Sequence, residues 1–402
     1  MEQRVLIVGG GLNGPCLAIA LAQAGLHSTL IDAQTSDTHQ DPGFDGRCYA
    51  LAHSTMRMLK ALGLWASLED MAQPILGIKA SDGRAGEGPS PLFLHFDHAD
   101  LEEGPMGFIV EDRHLRARLW RDVAERPEIT YLPGTIVTGQ APGRVELSTG
   151  TTLEGALIVG ADGRGSQTAR RAGIKRMAWG YGQTALVAAL AHEKPHNGIA
   201  HQFFMPAGPL AILPLTGNRC SIVWSERSEE AERILNLPES EFIDHLKPRF
   251  GSFLGEISAA GRRYCYPLGL SLTDRFVAER LALVGDAAHG VHPIAGQGLN
   301  LGFRDVAALA QTLGEAQRRG EDIGTSAVLR RYQSWRRFDT AALAVATDSF
   351  NRLFSNDNSI LRFARDAGMG LVNAIPPVKR AFMRQAAGLN GPLPRLLRGE
   401  PL

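Results

Sequence analysis

The sequence predicts an α/β fold: a discontinuous Rossmann-like nucleotide-binding domain, an inserted antiparallel β-sheet domain and a helical C-terminal tail. Three observations carry that prediction. A strand, a glycine-rich turn, a helix and a second strand follow one another within residues 5–32. Two more glycine–aspartate segments, at 158–163 and 281–286, each include or follow a strand-like run. Between them lie short strand patterns, and beyond Gly302 the apolar spacing is mostly helical.

In the first unit, Val5–Val8 is an aliphatic run of the kind buried in a parallel sheet. Gly9, Gly11 and Gly14 follow, with Leu12 and Asn13 before the last, and lead into a helical stretch at Pro15–Ala24. Gly25 stands where a helix C-cap belongs. Ser28–Ile31 is the second strand, closed by Asp32. Gly9 allows the tight turn, Gly11 lets a pyrophosphate approach the backbone, and Gly14 lets helix and strand pack closely. The helix N-terminus meets the phosphate with free N–H groups and its dipole. Asp32, 18 residues after Gly14, is placed to accept a ribose hydroxyl. A glycine turn alone is a weak signal, and the strand, helix and acid around it make it specific. It does not separate NAD from FAD.

Residues 41–47, DPGFDGR, form a turn-rich loop. Helical patterns follow at Ala52–Leu68 and Asp112–Arg126, with short strands across 127–160. Strand-like runs then recur at Thr184–Leu190, His201–Met205, Leu210–Pro214 and Cys220–Trp224. Helices are expected at 228–250, Gly302–Arg319, Ala327–Phe354 and Ile360–Ala374. The expected division is a nucleotide domain of 1–75, 101–175 and 276–345, a β-rich substrate domain of 76–100 and 176–275, and a helical region of 346–402.

The second motif is Gly160-Ala161-Asp162-Gly163, followed by Arg164, Gly165 and Ser166. Small residues let the chain pass close to a dinucleotide, and Asp162 can order the loop by accepting backbone N–H groups. Taken alone, it reads equally as a strand ending in an Asp-Gly turn. The third motif, from Gly285-Asp286 through His289 and His292 to Pro293, Gly296, Gln297, Gly298, Leu299 and Asn300, is more informative. Asp286 ends a strand, where a carboxylate can accept a ribityl hydroxyl. The glycine-rich stretch after it can turn backbone N–H groups toward the pyrimidine edge of a flavin, stabilising negative charge on the reduced ring. The two histidines lack a nearby third ligand, so a structural role is expected over metal binding.

Composition excludes several classes. Lys+Arg and Asp+Glu are both 42, so net charge offers no footprint for nucleic acid. Cys16, Cys48, Cys220 and Cys265 form no CxxC pair, so neither zinc nor a disulfide framework is expected. No apolar run is long enough to span a bilayer and no signal peptide is visible, so a cytoplasmic protein is expected. No GxSxG or HExxH occurs, so no side-chain nucleophile is expected.

The three segments GGGLNG, VGADGRGS and GDAAHGVHPIAGQGLNLGFRD resemble the FAD signatures of class A flavoprotein monooxygenases, the p-hydroxybenzoate hydroxylase group. The segments PGFDGR, HPIAGQGLNLGFRD and GLNGPLPRLLRGEPL resemble more closely the UbiH-type ubiquinone-biosynthesis hydroxylases, and the resemblance runs along essentially the whole chain. It implies non-covalent FAD, reduced by NAD(P)H or another donor, and a C4a-hydroperoxide that hydroxylates the ring of a polyprenyl phenol with O2. It also implies FAD contacts from Arg47, Arg113 and the Val137 backbone. The residues alone would leave Arg47 as a loop charge and Arg113 as a solvated helix start.

The inserted sheet is expected to meet the flavin, with Phe203, Phe204, Met205, Leu213, Pro214 and Trp224 as candidate cavity-wall residues. Strand positions supply core more often than ligand contacts. His289 and His292 are candidates to help deprotonate a phenol. The basic, apolar tail at 375–397 reads either as a peripheral membrane or partner contact or as a helix packed on its own domain. Hydroxylation of another aromatic substrate, another flavoenzyme activity and a non-catalytic FAD-bearing scaffold of a biosynthetic complex are the alternatives.

Overall fold

The computed structural model describes residues 3–86, 88–101, 103–291, 296–354, 368 and 370–402. Its first sheet runs in the order Val277–Ala278, Leu281–Leu283, Leu157–Gly160, Val5–Val8, Ser28–Ile31, Ile129–Leu132. All pairs are parallel except the edge hairpin at 277–283. Every residue of Val5–Val8, Leu157–Gly160 and Leu281–Leu283 is buried, as expected of strands covered on both faces. Helices Asn13–Gln23 and Gln297–Arg318 pack against each other, and Gly314 lets them approach: a Cβ there would lie 3.0 Å from that of Ala24.

The second sheet is antiparallel apart from one pair. Its order is His289–Gly290, Tyr264–Thr273, Arg176–His192, Arg219–Arg227, Gly208–Leu215, Ile199–Met205, Gly77–Arg84, Gly88–Asp97. The exception is the parallel pairing of Ile199–Met205 with Gly77–Arg84, which joins the hairpin near residue 86 to the later strands. Helices Ser228–Leu235 and Glu239–Phe250 cover one face through Ala231, Ile234, Phe242, Leu246 and Phe250. A small sheet of Cys48–Ala52, Gly107–Glu111 and Gln73–Pro74 adds a third layer. The Gly285–Gly290 segment links the two large sheets: it leaves the parallel strand Leu281–Leu283, and its His289 and Gly290 pair with Leu272 and Ser271.

Some boundaries differ from expectation. The long helix starts at Gln297, five residues before Gly302, so the end of the glycine-rich stretch is already helical. The pattern at 52–68 breaks into helix His53–Ala61 and 3-10 turns at Trp65–Ser67 and Glu69–Met71, with Gly63 in the left-handed region (φ 77°) ending the helix. The helix expected at 360–374 falls largely outside the described residues. The tail is partly docked. Met383, Ala387, Leu396 and Leu397 are buried, with Arg395–Arg398 packed on His53–Ala61.

One partly buried histidine sets an acid limit. Burial, with Lys79 adding to it, pushes the His201 pKa down to about 4. A histidine whose folded pKa lies below its unfolded value takes up more protons on unfolding. Its contribution is present above pH 6.5 and is lost as pH falls from there toward 4, by about 3 kcal/mol. Urea melts across that window should flatten in a His201→Gln variant.

Candidate functional site

The first motif is built for close approach. Gly9 has φ 114°, and a Cβ on it would lie 2.5 Å from the Ala161 carbonyl oxygen, so the first and second motifs touch there. A Cβ on Gly14 would overlap the Gly9 carbonyl oxygen. Gly11, by contrast, faces open space, with no atom within 4 Å of an added Cβ. Behind it helix Asn13–Gln23 begins with Leu12 at the N-cap, no side-chain cap and no acid in its first turn. Its N–H groups and dipole are left for an anion. Asn13 wedges its amide between Gly285 and Gly302, and among the described residues its Oδ1 is buried without a hydrogen-bond partner. These features fit a dinucleotide pyrophosphate.

Asp32 lies at the end of its strand and is nearly buried. Its Oδ1 accepts the Gln34 N–H at 3.3 Å, and its Oδ2 accepts from His39 Nε2 at 2.5 Å. Asp162 orders its own loop. It accepts from the Ser166 hydroxyl (2.5 Å), the Thr168 N–H (3.0 Å) and the Thr168 hydroxyl (2.9 Å), which tethers helix Gln167–Arg171. The Val137 carbonyl accepts from Arg171 at 2.7 Å, so its backbone is tied to that helix.

Asp286 stays accessible, with 39% of its side chain exposed, and pairs with Arg164 Nε at 3.0 Å. Arg176 donates to the Asp286 carbonyl at 3.2 Å and to that of Ala287. The second and third motifs therefore converge on one carboxylate, which suits a ribityl hydroxyl.

Gly296 is left-handed (φ 64°), and a Cβ there would lie 2.8 Å from that of Ala50. Asn300 makes this junction rigid. Its Nδ2 donates to the carbonyls of Ala50 (2.8 Å) and Gly296 (3.1 Å), and its Oδ1 accepts from the Ala52 N–H and the Thr55 hydroxyl, both at 2.8 Å. The Asn300 side chain is thus fully used on protein. It aligns the first turn of Gln297–Arg318, so any flavin contact from this turn comes from the partly buried Gln297, Gly298 and Leu299 backbone. An Asn300→Ala variant should lose about 2–3 kcal/mol in denaturant melts and hold FAD more weakly. His292 and Pro293 lie outside the described residues.

The arginines carry more partners than sequence suggested. Arg47 is half-exposed and pairs with Asp45 at 2.6 Å and Asp112 at 3.5 Å. Arg113 Nε donates to Glu111 at 2.8 Å and its guanidinium lies over the Phe44 ring at 5.2 Å. Arg219, from the second sheet, binds the other Glu111 oxygen at 2.8 Å and stacks on Phe44 at 5.4 Å. The PGFDGR loop is therefore pinned from helix Asp112–Glu125 and from strand Arg219–Arg227 of the second sheet.

Two sets of expected residues move away from the site. Phe203, Met205 and Trp224 pack with Phe242, Ile243 and Leu246 beneath the covering helices, and Pro214 shares the face of Ile212 in that same core. They fill the core between the sheet and its covering helices. Phe204 packs with Ala80 and Leu94. Leu213 alone of this group packs on the inner cluster with Phe44, Cys48, Ala50 and Ile109. His289 is 1% exposed and its Nε2 bonds Asp305 Oδ2 at 2.5 Å, so that nitrogen is committed to a protein partner. Asp305, Arg336, Arg164, Arg176 and His39 were missed. Only Asp305 and Arg164 fell inside quoted motifs. Among the described residues no cluster of His, Cys, Asp or Glu could hold a metal ion.

Residues 2–346 match the family described as FAD binding domain. Over 99% of its length the chain is 46% identical to ubiquinone hydroxylase UbiL of Rhodospirillum rubrum, covering 93% of that protein. It is 33% identical to the 3-demethoxyubiquinol 3-hydroxylase of Escherichia coli, over 96% of this chain and 98% of that one. The fold matches p-nitrophenol 4-monooxygenase PnpA from Pseudomonas putida with a TM-score of 0.80 at 19% identity, covering 97% and 98% of the two chains. The glycine-rich turns and the full-length relatives agree: the chain belongs to the FAD-binding-domain family of flavoprotein monooxygenases.

Proposed function

We propose that this enzyme hydroxylates the aromatic ring of a polyprenyl phenol in ubiquinone biosynthesis, using FAD, O2 and NAD(P)H or another transient donor. The observation that carries the reading is the 46% identity over 99% of the chain to a ubiquinone hydroxylase. The proposed FAD path runs from Asp32 and the Val137 backbone at the adenosine, past Gly9, Gly11, Leu12, Asn13 and Gly14 at the pyrophosphate, to Asp286 at the ribityl chain. Gly296–Leu299 then meets the ring, and Asp162 shapes the loop between. Arg47 and Arg113 hold the PGFDGR loop against the cofactor. The division into a cofactor domain and a β-rich substrate domain is proposed with it, the ring lying against the inner cluster of Phe44, Ala50, Ile109 and Leu213.

Bound FAD supplies the oxygen chemistry, and the protein supplies position, electrostatics and exclusion of water. Gly298 and Leu299 N–H groups at the positive end of a helix favour negative charge on the neighbouring ring edge. Apolar side chains on the inner cluster keep that surface dry.

The decisive experiment feeds the purified holoprotein NADH or NADPH, 18O2 and either a polyprenyl phenol or a short-chain phenol. One 18O atom in the ring of the prenylated product is the expected result. Stable yellow FAD with no labelled product from any donor would instead identify a scaffold.

A lipid contact at the tail belongs to the same proposal. No helix among the described residues is long and apolar enough to cross a membrane. Ile375, Val378 and Phe382 expose an apolar edge, while Met383 on the same helix is buried and Lys379 pairs with Asp100 at 2.8 Å. The helix can thus use one edge for lipid and the other for its own core. Val378→Ser with Phe382→Ser should lower co-sedimentation with anionic vesicles several-fold without changing the melt. Equal sedimentation of variant and parent removes the lipid contact from the proposal.

A further inference from the structure

His39 sits in no recognised motif, yet it is 2% exposed and bonded to the acid that ends the second strand. Its ring stacks on Trp120, with centroids 4.3 Å apart and planes 19° apart, and Trp120 packs on Tyr131 at 4.4 Å. The stack fixes the imidazole plane, and the short helix Ser36–Gln40 fixes its height. A carboxylate cannot donate, so the bonding proton resides on Nε2. Asp32 then has one oxygen anchored by His39, while the other takes only a long bond, 3.3 Å, from the Gln34 N–H.

A carboxylate that could rotate freely would accept a ribose hydroxyl in several orientations and lose entropy on choosing one. Anchoring Oδ2 removes that freedom before the cofactor arrives. We propose that His39 is a positioning residue for FAD, holding Asp32 in the orientation that accepts the adenosine ribose hydroxyls. The far side of the ring supports this. Among the described residues Nδ1 is buried without a protein partner. His39 borders a cavity of about 110 Å3 lined also by Ser36, Trp120, Val123, Ala124 and Tyr131. That space is large enough for water beside two hydroxyl-bearing side chains, which would give Nδ1 the donor it needs as an acceptor. The inference rests on FAD binding and is independent of which phenol is hydroxylated.

The test measures FAD affinity of the apoprotein by quenching of flavin fluorescence, with FAD and with analogues whose adenosine lacks the 2′- or the 3′-hydroxyl. His39→Phe keeps the stack on Trp120 and removes the donor. It should weaken FAD about tenfold, the loss expected of one hydrogen bond to a charged group. It should barely change binding of the analogue lacking the hydroxyl that Asp32 accepts. His39→Gln restores a donor and should return affinity to within about threefold, with the parent's discrimination between FAD and analogue. Undiminished FAD affinity in the phenylalanine variant overturns the proposal. So does an equal loss for FAD and both analogues, which would mark a purely structural histidine. Should the phenylalanine variant not fold, the parent apoprotein decides: equal binding of FAD and both analogues would show that Asp32 accepts neither hydroxyl and would overturn the proposal.

Discussion

Replacing Asp305 with alanine is expected to destabilise the protein by about 3–5 kcal/mol and to release FAD. Asp305 is fully buried, and its two oxygens do three tasks. Oδ1 accepts from Arg336 Nε at 2.8 Å, and Oδ2 accepts from His289 Nε2 at 2.5 Å and from the Gly285 N–H at 3.0 Å. Arg336 is itself 1% exposed and also reaches Asp339 at 3.0 Å. Removing the carboxylate leaves a guanidinium, an imidazole and a backbone donor buried with fewer acceptors. The Gly285 N–H immediately precedes Asp286, so that carboxylate would lose its backbone anchor as well.

Burial opposes ionisation of Asp305, but His289 and Arg336 hold its pKa below the usual carboxylate value. A carboxyl with a folded pKa below its unfolded one stabilises above the unfolded value and loses that contribution as pH falls through the folded one. The Asp305 contribution should therefore persist at pH 5 and disappear only below about pH 4. This separates it from the His201 contribution, which fades between pH 6.5 and 4. Denaturant melts at pH 7, 5 and 3.5 check both. Pairing Asp305→Ala with Arg336→Met should recover part of the loss, because the stranded charge goes too. A fully additive double variant would show that the pair is not coupled.

The second large effect is at Gly14. A Gly14→Val variant should fold poorly or lose FAD by at least about a hundredfold, because even a Cβ overlaps the Gly9 carbonyl oxygen. That carbonyl belongs to the turn that faces Ala161, so relieving the clash shifts the phosphate turn. Gly11→Ala is the informative partner. Its Cβ meets no protein atom within 4 Å, so the apoprotein should melt as the parent does while FAD binding weakens. Titration of both apoproteins with FAD, beside their melts, distinguishes a lost fold from a blocked cofactor.

The cofactor half of the molecule was legible because its signals are local. Gly9, Gly11 and Gly14 encode a turn and two close approaches within six residues, and Asp162 caps the loop it belongs to. An aliphatic strand buried on both faces also reads as such without its neighbours. The substrate side was not legible in the same way. Alternation in Ile199–Met205 and Arg219–Arg227 separates two faces but does not say which face the helices cover. Phe203, Met205 and Trp224 fell on the helix side and Leu213 on the other.

By itself, then, the sequence determined the α/β class and the FAD signatures. The tertiary structure decided which partner each polar side chain of those segments takes. Asp305 meets His289 across 16 residues and Arg336 across 31, while Asn300 reaches Ala50 across 250. Such pairs leave no spacing to read, since only the packing of helix Gln297–Arg318 on the strands and on helix Ser326–Phe354 brings them together. His289 thus became a buried partner of Asp305, and His39, outside every motif, became the partner of Asp32.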